Sequence, residues 1–278
     1  MSKHTLTTAV GSTGKKAWFL GLFAAALALF AAGCASGDHE RRIEALERNV
    51  ADLQWQLALA DPNGKAAKKL WPGDSFNYLA IGNSLTQHGV CKYWWNPVGM
   101  AASDADHDYF HLVKSGLRKR FGKVTAHAIN FAIWEFNGHD RDQTFSKIDK
   151  LLDDNISLVT IQLGENVKDR STFAQDYVSL IEHIRQKTGG KAQIIVIGDF
   201  WKNDPVRAEA AKKCGVDFVS LDEAQKDPAK YRSRIGAVVF DAEGNRHIVK
   251  SAGVAKHPGD TGMAFIADQV LNAVKDRK

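Results

Sequence analysis

Residues 76–86 read FNYLAIGNSLT, an apolar run that ends in a glycine and a polar turn. The run is short and nearly continuous in hydrophobicity, as is typical of a strand buried on both faces of a sheet. Gly82 lets the chain turn sharply at the strand end, and Ser84 then presents a hydroxyl beyond that end. This stretch therefore predicts both a central strand and a candidate nucleophile.

Four further apolar runs follow, separated by stretches with helical periodicity. The predicted strands are 77–81, 124–131, 158–163, 193–198 and 217–221. Strands that alternate with helices predict a parallel sheet with helices on both of its faces. We therefore expect a three-layer α/β/α domain with a five-stranded parallel sheet.

The helical segments between these strands are predicted from apolar spacing. Apolar faces are formed by Phe145, Ile148 and Leu151, and again within 173–184. A last helix is predicted at 264–274. Before it, 237–240 and 246–249 predict a β-hairpin, because two apolar runs flank a polar turn.

Polar residues follow three of the predicted strands. In an open parallel sheet, ligands bind beyond the carboxyl ends of the strands. A serine, a histidine and a side-chain amide from separate positions at this edge are what acyl transfer needs, as nucleophile, base and oxyanion donor. The candidate residues are Asn83 and Ser84, Trp134 and Glu135, Gly164 and Asn166, and His257 before the last helix.

These residues resemble the sequence blocks of the SGNH (GDSL-like) hydrolase family. The resemblance covers about Phe76 to the C-terminus. Residues 82–86 are similar to the first block, 164–166 to the third and 257–258 to the fifth, and 95–112 resembles one bacterial branch. No block is specific alone, but three in order are a strong joint signal. The resemblance implies a flavodoxin-like fold and an ester hydrolase.

The resemblance also implies a role for each matching residue. Ser84 would attack the ester carbonyl, and His257 would take its proton and pass it to the leaving alcohol. The Asn166 side chain and the Ser84 backbone N–H would donate to the oxyanion. Asn83 stands where the family often has Asp.

The chain departs from the family pattern at two positions. Glu135, after Trp134, stands where the second block supplies a glycine; it would contact substrate or tune His257, unless both are packing or surface residues. Val254 stands where an Asp would orient His257. A backbone carbonyl, Asp199 or Asp260 are the alternative partners for the histidine, although Asp260 is better placed to cap the last helix.

Four tryptophans are predicted near strand ends or in the following loops. Aromatic rings there could stack on sugar rings, but such residues are at least as often in the core. They are Trp94, Trp95, Trp134 and Trp201.

The N-terminus has the pattern of a bacterial export signal. Lys15 and Lys16 precede the apolar run 17–32, which is shorter than the ~20 residues that a membrane-spanning helix prefers. The small residues before Cys34 resemble a lipobox, in which that cysteine is lipidated, although Ala31 stands where Leu is usual. We expect a signal peptide at 1–33; an uncleaved anchor is the alternative.

A short heptad pattern follows Cys34. Its apolar stripe predicts either a short oligomerising helix or an amphipathic helix on the domain or membrane surface. The stripe consists of Ile43, Leu46, Val50, Leu53 and Leu57. We therefore expect a lipid-anchored tether at 34–70, a catalytic domain at 71–278 and a homo-oligomer through 43–57 as one option. Ala35 after the cysteine resembles proteins sent to the outer membrane, on its periplasmic or surface side.

Charge and cysteine content give no support to nucleic-acid binding or to a zinc site. Of 37 basic residues, three precede Cys34, which leaves 34 against 32 acidic residues. This balance and the lack of a recognition motif give no argument for nucleic acid. No spacing suggests zinc or another cofactor, and the sequence does not decide whether Cys91 and Cys214 pair.

The sequence therefore predicts a lipid-anchored envelope esterase. Its substrate would be an acylated carbohydrate, most simply an O-acetyl ester of envelope or exported polysaccharide, cleaved through an acyl-enzyme. The first alternative is a polysaccharide O-acetyltransferase that uses the same Ser84 and His257. The second is a non-catalytic envelope-binding lipoprotein.

Overall fold

The computed structural model describes residues 70–276, together with Leu57 and Ala60. The predicted signal peptide at 1–33, the lipidation site Cys34 and nearly all of the 43–57 heptad helix lie outside these residues. The domain boundaries at 33 and 70 and the envelope location stay predictions.

The predicted five-stranded parallel sheet is confirmed. Its strands are β1 (Phe76–Gly82), β2 (Val124–Asn130), β3 (Leu158–Gln162), β4 (Gln193–Ile197) and β5 (Asp217–Val219). They lie in the order β2-β1-β3-β4-β5, and all four pairings are parallel. This is the flavodoxin-like order, in which the chain reverses direction across the sheet between β1 and β3.

Side chains of β1 alternate between two cores, one on each face of the sheet. Tyr78 and Ala80 pack with α1 (Tyr109–Phe121) and the last helix, α8 (Asp260–Ala273). Leu79 and Ile81 face the other core, with α3 (Phe173–Lys187) and α4 (Pro205–Cys214). Every residue of β1 is buried, so the strand that leads to Ser84 is held from both faces.

The remaining helices are short. They are α2 (Ala132–Phe136), α5 (Asp222–Lys226), α6 (Pro228–Tyr231) and α7 (Ala252–Ala255), with 3₁₀ turns at Ala105–His107, Gly138–Lys147 and Asp149–Leu151. The apolar face of Phe145, Ile148 and Leu151 thus lies on two consecutive 3₁₀ segments, with Ile148 between them, rather than on an α-helix. Its constant spacing of three residues fits three residues per turn.

The predicted β-hairpin is also present. β6 (Val238–Phe240) pairs antiparallel with β7 (Arg246–Ile248). The hairpin is joined to the 94–103 loop, because the Phe240 N–H donates to the Ser103 carbonyl at 2.7 Å and Asn96 Nδ2 donates to the Phe240 carbonyl at 3.0 Å. It thereby packs against the loop that braces the candidate site.

Two further findings concern the described residues alone. Cys91 and Cys214 are both free thiols, the first half-buried and the second buried. No helix in this part of the chain has the length and apolarity needed to cross a membrane.

Candidate active site

Ser84 lies two residues beyond the end of β1, at the carboxyl edge of the sheet. Gly82 does not have a left-handed backbone there; it is needed for a close approach instead. A Cβ at this position would lie 1.9 Å from Thr86 Oγ1 and 2.9 Å from the Gln162 carbonyl oxygen. The missing side chain lets the turn after β1 fold back against the end of β3.

The turn is braced by the 99–102 segment. The Met100 N–H donates to the Ser84 carbonyl at 2.8 Å, and the Gly99 N–H donates to the buried Asp108 carboxylate at 3.1 Å. Ala101 has a φ of 77°, the left-handed region that residues other than glycine rarely adopt. Such strain costs on the order of 1–3 kcal/mol and persists only where surrounding contacts impose it.

His257 reaches Ser84 from the segment between α7 and α8. Ser84 Oγ lies 2.9 Å from His257 Nε2, and His257 Nδ1 lies 2.9 Å from the Gly253 carbonyl oxygen. A carbonyl only accepts, so Nδ1 carries the proton and Nε2 is left to accept from the Ser84 hydroxyl. The histidine thus has the tautomer that a general base for serine requires.

The surroundings of His257 favour its neutral form. Burial is the main cause that lowers its pKa to about 4; His88 adds a smaller lowering, and hydrogen bonds to the backbone at Gly253 and Val254 oppose it. The Trp201 ring stands edge-on to the imidazole at 5.2 Å, and its Nε1 donates to the Lys256 carbonyl at 3.0 Å. Trp201 therefore covers one side of the base.

Neither carboxylate considered as a partner for His257 contacts it. Asp199 accepts from the Trp201 and Lys202 N–H groups, and Asp260 accepts from the Ser103 N–H. Asp260 is also not the cap of α8, since Gly259 holds that position without a side-chain bond. The alternative that the structure adopts is the backbone carbonyl, with Val254 buried nearby.

Two N–H groups remain for an oxyanion. The Ser84 backbone N–H has no acceptor within the described part of the chain. Asn166, after β3, is exposed, and its Nδ2 donates to Glu135 Oε2 at 2.7 Å. A carboxamide nitrogen carries two protons, so one N–H of Asn166 stays available at the same edge as Ser84.

Asn83, Gly164 and Glu135 were predicted to line this site, but they lie beneath it. Asn83 and Glu135 are buried, and Asn83 Nδ2 donates to Glu135 Oε1 at 3.0 Å. The Gly164 N–H donates to the same oxygen at 2.6 Å. The expectation that Glu135 meets substrate or His257 is therefore wrong, because its carboxylate is occupied inside the protein.

The tryptophans divide into core and site residues. Trp134 was predicted at the site, yet it is fully buried against Phe173 and Tyr177, so it cannot contact substrate. Trp94 is equally buried, and Trp95 stacks on His247 at 4.6 Å. Trp201, which contacts His257, is the one of the four that belongs to the site.

A buried charge cluster next to Asn83 has no clear signal in the sequence. Arg207 Nη1 lies 3.1 Å from Glu165 Oε1, and Arg207 Nη2 lies 3.4 Å from Asp199 Oδ2, all three side chains being at most 2% exposed. Glu165 Oε2 accepts from Asn83 Nδ2 at 2.7 Å. Burial raises the pKa of Glu165 to about 7, with Asp199 and Glu135 adding to the rise and Arg207 opposing it.

Only the position of Glu165 between Gly164 and Asn166 pointed to this cluster; nothing marked Arg207. Gly164 leaves space for the guanidinium, since a Cβ there would lie 2.6 Å from Arg207 Nη2, and its φ of 123° is one that glycine tolerates. Among the described residues, no group of His, Cys, Asp and Glu is arranged to hold a metal ion.

The arrangement defines a class of site, a serine–histidine pair with oxyanion donors at the carboxyl edge of a parallel sheet. No family model and no curated protein matches the sequence. Solved structures do show similarity. A two-domain esterase (CEX) active on acetylated mannans, crystallised with mannopentaose, is 17% identical with a TM-score of 0.47, over 75% of this chain and 51% of that one.

Two further structures are similar at the same level. A candidate GDSL-like lipase from Parabacteroides merdae ATCC 43184 is 16% identical with a TM-score of 0.47, over 72% of this chain and 95% of that one. A family two carbohydrate esterase from Clostridium thermocellum, in complex with cellohexaose, is 15% identical with a TM-score of 0.41, over 71% and 62%. This chain thus spans about half the length of the esterase active on acetylated mannans. The fold assignment of this chain rests on its own strand order.

Proposed function

We propose that this protein is a serine esterase in which Ser84 is the nucleophile and His257 the general base. The observation that carries the proposal is the 2.9 Å contact between Ser84 Oγ and His257 Nε2, with Nδ1 fixed by a main-chain acceptor. With Nδ1 bonded in this way, Nε2 is the nitrogen that can accept the Ser84 proton, as a general base must.

The reaction follows from this geometry. His257 Nε2 takes the Ser84 proton as Oγ attacks the ester carbonyl, and the Ser84 N–H and Asn166 Nδ2 donate to the oxyanion that forms. The protonated histidine then donates to the leaving alcohol. Water, deprotonated by the same nitrogen, then attacks the acyl carbon; the bond from Ser84 Oγ to that carbon breaks, the acid leaves, and Nε2 returns the proton to Oγ.

The substrate class is an inference from the surroundings of the site. We propose an O-acyl, most simply O-acetyl, ester of a carbohydrate. The half-buried ring of Trp201 beside His257 offers an apolar face for a sugar ring, and Tyr93, 41% exposed, lies beyond His88 with the two ring centres 6.4 Å apart. The export pattern at 1–33 supports a cell-envelope location, with Cys34 as the lipid anchor.

Hydrolysis of p-nitrophenyl acetate by the full chain in mild detergent tests the proposal. We expect Ser84→Ala and His257→Ala each to lower kcat by about 10³-fold or more, because members of such a pair act as a unit. Ser179→Ala is the matched control, as this half-buried serine lies on α3 and its hydroxyl donates to Asp142, away from Ser84 and His257. Equal hydrolysis by all four proteins would refute the proposal.

Acetylated polysaccharide then tests the substrate class. Acetylated mannan and xylan are offered to wild type and Ser84→Ala, and released acetate is measured. Acetate release that requires Ser84 supports a carbohydrate ester as the substrate. Hydrolysis of the small ester without release from any polymer would contradict it, and acetate that appears on an added oligosaccharide would identify the O-acetyltransferase instead.

A further inference from the structure

Glu135 is a buried carboxylate that accepts only from N–H groups. Its Oε1 accepts from Asn83 Nδ2 at 3.0 Å, from the Gly164 N–H at 2.6 Å and from the Asn166 N–H at 3.3 Å. Its Oε2 accepts from Asn166 Nδ2 at 2.7 Å. Four donors around a side chain that is 1% exposed match the acceptor-only character of a carboxylate.

These contacts join the parts of the site that come from three strand ends. Asn83 directly precedes Ser84 after β1, Glu135 follows β2, and Gly164 and Asn166 follow β3. One carboxylate therefore ties the nucleophile turn to the amide that faces the oxyanion. Asn83 is also fixed by its own Oδ1, which accepts from the Leu85 N–H at 3.1 Å.

A carboxylate determines which end of the Asn166 amide faces it. A carboxamide has a donating nitrogen and an accepting oxygen of similar size, and it can rotate by half a turn unless a partner distinguishes them. Glu135 Oε2 accepts only, so it draws Nδ2 and repels Oδ1. A glutamine at 135 would present a donor as well and would allow the rotated amide.

We propose that Glu135 is a positioning residue, which holds the Asn166 carboxamide with Nδ2 toward Glu135 so that its second N–H is presented to the oxyanion. This inference rests on the proposed function. It assigns Glu135 a task performed through Asn166 and not by contact with substrate. The buried charge is kept because it fixes the direction of a donor.

The kinetic test is Glu135→Gln. Removing an oxyanion donor outright lowers kcat by about 10²- to 10³-fold, so an amide that points correctly only part of the time is expected to lose about 10- to 100-fold. KM should change by less than about threefold, because the oxyanion forms after substrate binds. Glu135→Asp, which keeps the acceptor, should recover part of the loss.

A double-variant cycle separates positioning from a general structural effect. If Glu135 acts through Asn166, then Glu135→Gln together with Asn166→Ala loses no more activity than Asn166→Ala alone. Two losses that multiply would overturn the proposal. Wild-type kcat in Glu135→Gln would overturn it as well.

Asp176→Asn is the control for loss of a carboxylate that pairs with a buried cation; the Asp176 side chain itself is 14% exposed. Asp176 pairs with the buried Arg141 and accepts from the Thr172 hydroxyl, and it has no hydrogen bond to Glu135 or to the groups that donate to Glu135. This variant should lower the midpoint of urea unfolding while kcat stays within about twofold of wild type. A loss of kcat as large as that of Glu135→Gln would show that the effect is merely structural.

An NMR measurement makes the proposal independent of turnover. One Asn166 side-chain proton, bonded to a carboxylate, should resonate well downfield of its geminal partner in wild type, and this separation should shrink in Glu135→Gln. If Ser84→Ala still hydrolyses ester, the proposed function fails while this result can stand. If the separation is unchanged in a folded Glu135→Gln, the positioning proposal fails while the esterase can stand.

Discussion

At the residue scale, the base of this site is oriented by the main chain. The Gly253 carbonyl fixes the tautomer of His257 but brings no negative charge to the imidazolium that forms when Ser84 gives up its proton. A carboxylate in this place would stabilise that cation and raise the pKa of the histidine. Its absence is consistent with the low pKa of His257 and makes the histidine a weak base that is neutral, and so able to accept a proton, above about pH 4.

The pH dependence of the reaction follows from that pKa. His257 must be neutral to accept the Ser84 proton, so kcat/KM should fall as the pH drops through about 4, instead of near 6.5, the usual pKa of histidine. Trp201→Ala opens the covered side of the ring and should move this acid limb upward, toward 6.5. A pH–rate profile of both proteins with an ester that is stable in acid measures the shift.

Two outcomes would count against this account. One is an acid limb near 6.5 in wild type. The other is a limb that stays in place in Trp201→Ala although Trp201 no longer covers the imidazole. His88 is the other titratable ring that acts on His257, so His88→Gln is made in parallel. Because His88 lowers the pKa of His257, its removal should move the acid limb upward, but only part of the way to 6.5, since burial is the larger cause.

At the element scale, the approach of β1 to β3 depends on Gly82. Gly82→Ala places a methyl group against Thr86 Oγ1 and the Gln162 carbonyl, and a backbone atom cannot move aside as a flexible side chain can. Overpacking of this kind destabilises by about 1–3 kcal/mol. Gly89→Ala, in the same connection but with open space around it, should change the free energy of unfolding by less than about 0.5 kcal/mol.

Urea unfolding followed by circular dichroism measures both variants. A Gly82→Ala protein as stable as Gly89→Ala would show that the turn relaxes freely. In Gly82→Ala, the activation free energy from kcat/KM should rise by more than the free energy of unfolding falls, because the displaced turn carries Ser84.

The elements were predictable where one periodicity dominated. The five strands were located within about two residues because they are β-branched runs between turns, as strands enclosed on both faces must be. The segment around Phe145 was assigned to an α-helix because a spacing of three residues also occurs on α-helical faces. Helix α8 was predicted to begin at 264, since its first turn, from Asp260, carries little apolar pattern.

The site was predictable in part. The strand-end rule located Ser84 and Asn166, and the resemblance to a family block located His257; the structure brings Ser84 and His257 into contact. The roles of Glu135 and Glu165 were not predictable, because they depend on which buried groups meet across three strand ends. Periodicity reports the local structure of one segment and does not report contacts between residues that are distant in the sequence.

At the scale of the whole molecule, the buried cluster should make stability depend on pH. The pKa of Glu165 is raised from 4.5 to about 7, so the folded protein holds a proton that the unfolded chain releases between these values. The unfolding free energy should therefore fall as the pH rises from about 4.5 to about 7. His257 acts in the opposite direction between about 4 and 6.5, because the unfolded chain binds its proton more tightly.

Glu165→Gln isolates the contribution of the carboxyl group. Wild type and variant share His257, so the difference between their unfolding free energies cancels its effect. That difference should shift in favour of the variant as the pH is raised from about 4.5 to about 7.5, as measured by urea unfolding at several pH values. A difference that is constant with pH would show that Glu165 does not take up a proton on folding.

The hydrogen bond from His257 to the Gly253 carbonyl has a consequence for how such a site evolves. The acceptor belongs to the main chain, so no substitution at 253 removes it, and a Cβ there would meet only Ser251 Oγ, at 3.5 Å. Small residues can therefore replace Gly253 while the carbonyl at this position still accepts from His257 Nδ1. A comparison of relatives would then show an invariant serine and histidine and no third partner, although the third partner is present in every copy as a peptide bond.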